Sequence, residues 1–179
     1  MINVIPTVEQ FNTTKELVMN HNFGQRGKGD GSRRMQAIGI MGQIMFADLL
    51  HHPRPTGENG FDGGYDFVID GKRVDLKTMA RTVDVKPHYV HNFVGWQLKY
   101  DCEYYVFASY NTEKNILSIC GVIKKDDFLK KATYYNQGDK RYRDDGTFFL
   151  ARTPLYEIGQ SDLAPLNSLD DLHEYLQNH

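Results

Sequence analysis

The dipeptide Asp70-Gly71 constrains this chain more than any other feature, because it sits at the centre of the stretch GYDFVIDGKRVDLKT, residues 64–78. A two-residue type I′ turn needs positive φ at both central positions, which Asp-Gly supplies at little cost, so the stretch is expected to form a tight hairpin. That turn pairs Ile69 with Lys72, Val68 with Arg73, Phe67 with Val74 and Asp66 with Asp75. Side chains alternate along a strand, so Tyr65, Phe67, Ile69, Val74 and Leu76 make an apolar face. The opposite face carries Asp66, Val68, Arg73, Asp75 and Lys77.

Carboxylates placed directly opposite on an antiparallel pair have Cβ atoms about 5 Å apart and repel each other. A hard divalent cation offsets that repulsion, and Mg²⁺ is typically held by one or two carboxylates plus waters and substrate phosphate. Lys77 follows Asp75 on the same face, where an ammonium reaches a phosphate oxygen or an attacking water. The set suits phosphodiester hydrolysis, in which metal and cation stabilise charge growing on the phosphorus oxygens. The competing reading is a solvated hairpin face whose acids are neutralised by Arg73 and Lys77.

At these residues the sequence resembles the PD-(D/E)XK nuclease superfamily. Asp66 matches the first acid of that signature and Asp75-Leu76-Lys77 its second element, while Tyr65 stands where the signature has proline. The resemblance spans roughly residues 33–132. It implies an α/β, restriction-endonuclease-like core: a central mixed β-sheet flanked by helices, with a small C-terminal β/α extension over 133–179, the whole forming one domain. It further implies a metal-dependent endonuclease acting on DNA with Mg²⁺ or Mn²⁺. Asp66 and Asp75 would bind the metal, joined by the backbone carbonyl of Leu76, and Lys77 would position or activate the attacking water. A homodimer is expected from the resemblance alone.

Upstream, residues 33–50 follow helical spacing behind Ser32 as N-cap and stop at His51-His52-Pro53. Gly39, Gly42 and Ala47 are small enough to let this helix lie close on a sheet. In the family a helix before the hairpin commonly brings a glutamate to the metal; here the equivalent residue is Gln43, a neutral amide that completes the set without adding charge. Asp48 is a second candidate on that helix, and an exposed acid is the alternative explanation for it. Glu58 and Asp62, in the glycine-rich loop before the hairpin, are held in reserve.

Downstream, the resemblance implies a helix-like connector after the hairpin, and Trp96–Tyr100 precedes an apolar strand over 102–110. A turn over 111–115, a second strand over 116–123 and a short helix over 124–132 follow. Gln97 matches a glutamine that many nucleases of the family place against substrate. In the tail, short strands are expected over 147–152 and 155–158. A final helix is expected over 168–177, with Ser168 as N-cap and Asp171 in its first turn.

Net charge is −2 over 179 residues, which is not the footprint of a protein that coats nucleic acid. Local clusters matter more. Arg26, Lys28, Arg33 and Arg34 lie in a glycine-rich run at a helix start and can hold phosphates. Lys140, Arg141 and Arg143 are interleaved with Tyr134, Tyr135 and Tyr142, a pattern suited to backbone contact and base stacking. Both clusters also read as solvated loops.

Cys102 and Cys120 fall in expected buried strands, with no disulfide framework and no zinc spacing, and the seven histidines lack partners for a zinc or histidine-nuclease motif. With no leader-like N-terminus and no membrane-length apolar run, a cytoplasmic protein without a membrane partner is expected. The runner-up function is a DNA-binding or assembly module of the same fold with weak or no catalysis, a reading that Gln43 favours. A structural protein with no nucleic-acid role would require the acid pair to be accidental.

Overall fold

The computed structural model describes residues 1–21, 23, 32–58, 64–143 and 146–179. Asp70 and Gly71 take φ of 51° and 76°, as a type I′ turn demands, and join β2 (Phe67–Ile69) to β3 (Lys72–Arg81). The architecture is mixed α/β. A five-stranded sheet has the order β1-β6-β5-β3-β2, where β1 is Ile2–Val4, β5 is Tyr104–Asn111 and β6 is Ile116–Lys124. β3 and β5 are parallel and the other neighbours antiparallel, so the sheet is mixed.

Between the parallel pair the chain crosses over one face of the sheet through β4 (Val90–Val94) and a 3₁₀ turn, Gly95–Lys99. The expected helix-like connector is therefore a strand followed by that turn. β4 joins β10 (Leu155–Gly159) and β7 (Thr133–Tyr135) in a second sheet, order β4-β10-β7. A two-stranded ribbon, β8 (Lys140–Tyr142) with β9 (Phe148–Leu150), stands apart from both. Of the helices, α1 is Val8–Asn20, α2 Arg33–Leu50, α3 Lys125–Lys131 and α4 Leu169–Asn178. None of the described helices is long and apolar enough to cross a membrane.

β5 is buried along its whole length, which explains its nearly continuous apolar sequence. Tyr104, Val106 and Ala108 point into a core closed by α2 and α4, with Ile38, Met45, Phe46, Val74, Leu172 and Leu176. Tyr105 and Phe107 point into a smaller core with Phe93, Phe128, Ile158 and Leu163. The tail thus contributes to both cores, and the expected small C-terminal extension is built into the domain.

α2 matches its expected span. Ser32 Oγ accepts from Met35 N–H, and His51 ends the helix at φ 56° with its N–H on Ala47 O and Asp48 O. The helix can approach β3 because Gly42 lies against Thr78, where a Cβ would collide with Thr78 Oγ1. This close approach carries Gln43 to the sheet edge.

Candidate active site

The ladder between β2 and β3 runs regularly only as far as Phe67 opposite Val74. Asp66 N–H then donates to Val74 O at 3.0 Å, so Asp66 and Phe67 both oppose Val74, in the manner of a β-bulge. The alternation shifts there: Phe67 sits in the α2-side core while Tyr65 packs against the other one. This corrects the expected cross-strand facing of Asp66 and Asp75 and the single face shared by Tyr65 and Phe67. Instead, the Asp66 carboxylate extends the ladder, with Oδ2 accepting from Leu76 N–H at 2.8 Å and Oδ1 from Gln43 Nε2 at 2.7 Å.

Asp75 and Lys77 occupy the other face of β3, over the smaller core. Their side chains are 6% and 20% exposed, with Nζ 2.7 Å from Asp75 Oδ2 and 5.5 Å from the Phe93 ring centroid. Burial on its own would lower the Lys77 pKa, but the charges of Asp75 and Asp66 and the hydrogen bond to Asp75 outweigh it, and the net shift is upward. Lys77 is therefore held as an ammonium at neutral pH beside these two carboxylates.

These residues meet at one cleft of about 510 Å³, lined among others by Gln43, Asp66, Asp75, Leu76, Lys77 and Gln97. In a ladder the N–H and C=O of one residue point to the same neighbour. Since Leu76 N–H reaches Asp66 where β2 has ended, the Leu76 carbonyl opens on the same edge. Two carboxylates and a backbone carbonyl are the oxygen donors that would hold Mg²⁺ or Mn²⁺ here, completed by water and phosphate. Among the described residues no group of three or more His, Cys, Asp or Glu clusters as a metal cage.

Two residues of the cleft wall lay outside the sequence reading. Tyr100 packs so tightly on Gly64, which has φ of 104°, that a Cβ on the glycine would collide with it. Arg54 is held by Asp48 at 2.6 Å and Glu9 at 2.7 Å, while Gln10 Nε2 donates to Asp48 at 2.6 Å. The hydrogen bond to Arg54 holds the Asp48 carboxyl below its ordinary pKa. Asp48 thus ties α1, α2 and the following loop together, away from the Asp66–Lys77 set. Glu58 is exposed.

Of the basic candidates, Arg33 and Arg34 are exposed in the first turn of α2, and Lys140 and Arg143 are exposed on the ribbon. Lys140 Nζ lies 4.7 Å from the Phe148 ring centroid, and Tyr142 and Phe148 are themselves exposed. Arg141 departs from expectation. It points inward onto both oxygens of the buried Glu157, at 3.0 and 2.8 Å, and is neutralised as the anchor of the ribbon rather than presented to phosphate. Arg26, Lys28 and Asp62 lie outside the described residues. Compared with family models, curated proteins and solved structures, the chain matches none.

Proposed function

We propose that the chain is a metal-dependent endonuclease of the restriction-endonuclease-like type, hydrolysing phosphodiester bonds in DNA. What supports the reading is the convergence of Asp66, Asp75, Leu76 and Lys77 on one cleft, with Gln43 delivered to it from α2. Asp66, Asp75 and the Leu76 carbonyl would hold Mg²⁺ or Mn²⁺, which supplies Lewis-acid stabilisation of the phosphoryl oxygens and acidifies a bound water. Lys77 donates hydrogen bonds and positive charge where negative charge grows on phosphorus oxygens. Gln43 and Leu76 N–H orient the Asp66 carboxylate. Gln97, on the same wall, is placed to touch substrate, and the exposed Arg33, Arg34, Lys140 and Arg143 supply further phosphate contacts.

One observation favours a second reading, a DNA-binding module with weak catalysis. Gln43 brings a donor, not a charge, to Asp66, so among the described residues the cleft carries two carboxylates where the family commonly has three acids. Both readings are tested by incubating supercoiled, linear, branched and single-stranded DNA, and RNA, with Mg²⁺, Mn²⁺ or EDTA. Wild type is expected to cut in metal and not in EDTA. Asp75→Asn and Lys77→Gln are expected to lose on the order of 10²-fold or more while remaining folded by circular dichroism. Gln43→Glu is expected to tighten metal dependence. A wild type that binds DNA but never cuts leaves the binding module, and one that neither binds nor cuts removes both readings.

A further inference from the structure

Arg81 ends β3, four residues beyond Lys77 on the same face and about 13 Å along the strand. Its guanidinium lies 5.0 Å from the Tyr89 ring centroid, just as Lys77 lies over Phe93 four residues later in the strand that crosses above. Nη2 donates to Val90 O at 2.5 Å, but Nε is buried with no acceptor. Other partly buried arginines of the described chain, Arg54, Arg73 and Arg141, each meet a carboxylate. Arg81 meets none. Burial lowers its pKa, and the Cys120 thiol and Tyr89 phenol offset that only in part. The carboxylate three residues away, Asp84, is taken by Lys114 and by Asn111 at 2.8 Å.

A half-buried cation with no counter-ion among the described residues is costly unless an anion arrives. The space beside it is suited to one. A pocket of about 440 Å³ is lined by Arg34, Arg81, Thr82, Tyr89 and Thr112 with two apolar residues, and by no acid among the described residues. Two guanidiniums and the hydroxyl groups around them offer the charge and the donors that phosphate oxygens take. α2 walls both this pocket and the catalytic cleft, placing Arg34 here and Gln36, Gly39 and Gln43 there.

We propose that the Arg34–Arg81 pocket is a second phosphate site, which grips the nucleic-acid backbone a short run of nucleotides from the phosphodiester held at Asp66, Asp75 and Lys77. The substrate class rests on the nuclease reading; the anion site itself rests on Arg81.

The test uses the full chain without added metal. Inorganic phosphate is titrated while the arginine Nε–H signals are followed by NMR, with Arg81 assigned from its loss in Arg81→Lys. Affinity for a short DNA duplex is then measured against salt for wild type, Arg81→Lys and Arg34→Gln. A saturable shift of the Arg81 signal is expected, together with several-fold weaker DNA binding in either variant. The slope of log affinity against log salt should fall by about 1 per lost contact. An Arg81 signal that phosphate leaves unmoved, or moves only in step with exposed arginines, overturns the site. A saturable phosphate shift with unchanged DNA affinity and slope overturns its assignment to nucleic acid. Cleavage by wild type in Mg²⁺ is read separately, so failure of the nuclease reading is not confused with failure of this pocket. Arg34→Gln changes an exposed residue and keeps the test decisive if Arg81→Lys does not fold.

Discussion

At the scale of single residues, the Asp-Gly turn sets the register that brings Asp66, Asp75 and Lys77 to one cleft, a grouping that was legible in the sequence. The irregularity at Asp66 was not, since alternation presumes a regular ladder and a bulge leaves no trace in residue type. His91 shows the same limit, being fully buried on a strand that the pattern did not reveal. Gln160 Nε2 donates to Cys120 O at 2.9 Å, which orients the amide and turns Oε1 toward His91 Nε2 at 2.7 Å. The imidazole therefore carries its proton on Nε2, and Nδ1 is buried without a partner. Burial pushes its pKa from 6.5 down to about 4. Between those values the unfolded chain binds the proton and the native chain does not. The His91 contribution is thus fully present above about pH 6.5 and lost as pH falls toward 4, about 3 kcal/mol at most. Urea unfolding at pH 5 and pH 7.5 should show that loss, and His91→Phe should flatten the difference whatever its effect on total stability. An equal pH slope in the variant would refute the assignment to His91.

Elements are where packing decides between residues that the sequence treats alike. Gly39 and Gly42 were both expected to admit α2 to the sheet. Only Gly42 touches it, against Thr78, while a Cβ on Gly39 meets nothing within 4 Å. The two substitutions to alanine should therefore have opposite signs. Gly39→Ala gains helix propensity, up to about 1 kcal/mol. Gly42→Ala is expected to cost about 1–3 kcal/mol net by forcing the helix off β3, and to cut cleavage because Gln43 moves away from Asp66 with it. Thermal melts of both variants, with cleavage rates alongside, check the pair, and two stabilised variants would show that α2 is not seated on Thr78. α1 went unread for a related reason. Thr7 and Gln10 form a capping box, a legible start signal, but the contact face is polar, with Gln10 and Thr14 buried and Val8 and Met19 exposed. Hydrophobic periodicity cannot find a helix that is held by hydrogen bonds.

On the scale of the whole molecule, the question is whether residues 133–179 are an appendage, as their order in the sequence suggested, or part of the foundation. Strand partners are non-local, so a run such as 155–159 shows that it will be extended without showing what it will lie beside. In the fold it lies between β4 and β7. Ile158 and Leu163 help close the core beneath Asp75 and Lys77, whereas Leu166, Leu172 and Leu176 close the core on the α2 side. β4, which lays Phe93 over Lys77, has β10 as its only sheet partner among the described strands. Removing the tail exposes both cores at once, and each large apolar side chain lost from a core costs several kcal/mol. A marginally stable domain cannot absorb that. A chain cut after Ala132 keeps every candidate catalytic residue, yet it is expected to lose cooperative unfolding and metal-dependent cleavage together. Ser168→Ala, which removes one capping hydroxyl, should cost only about 1 kcal/mol and leave cleavage intact at low temperature. Denaturant titration and cleavage of the two proteins side by side separate the cases. A truncated chain that unfolds cooperatively and still cuts would make the tail an accessory, and would return the site to residues 33–132 alone.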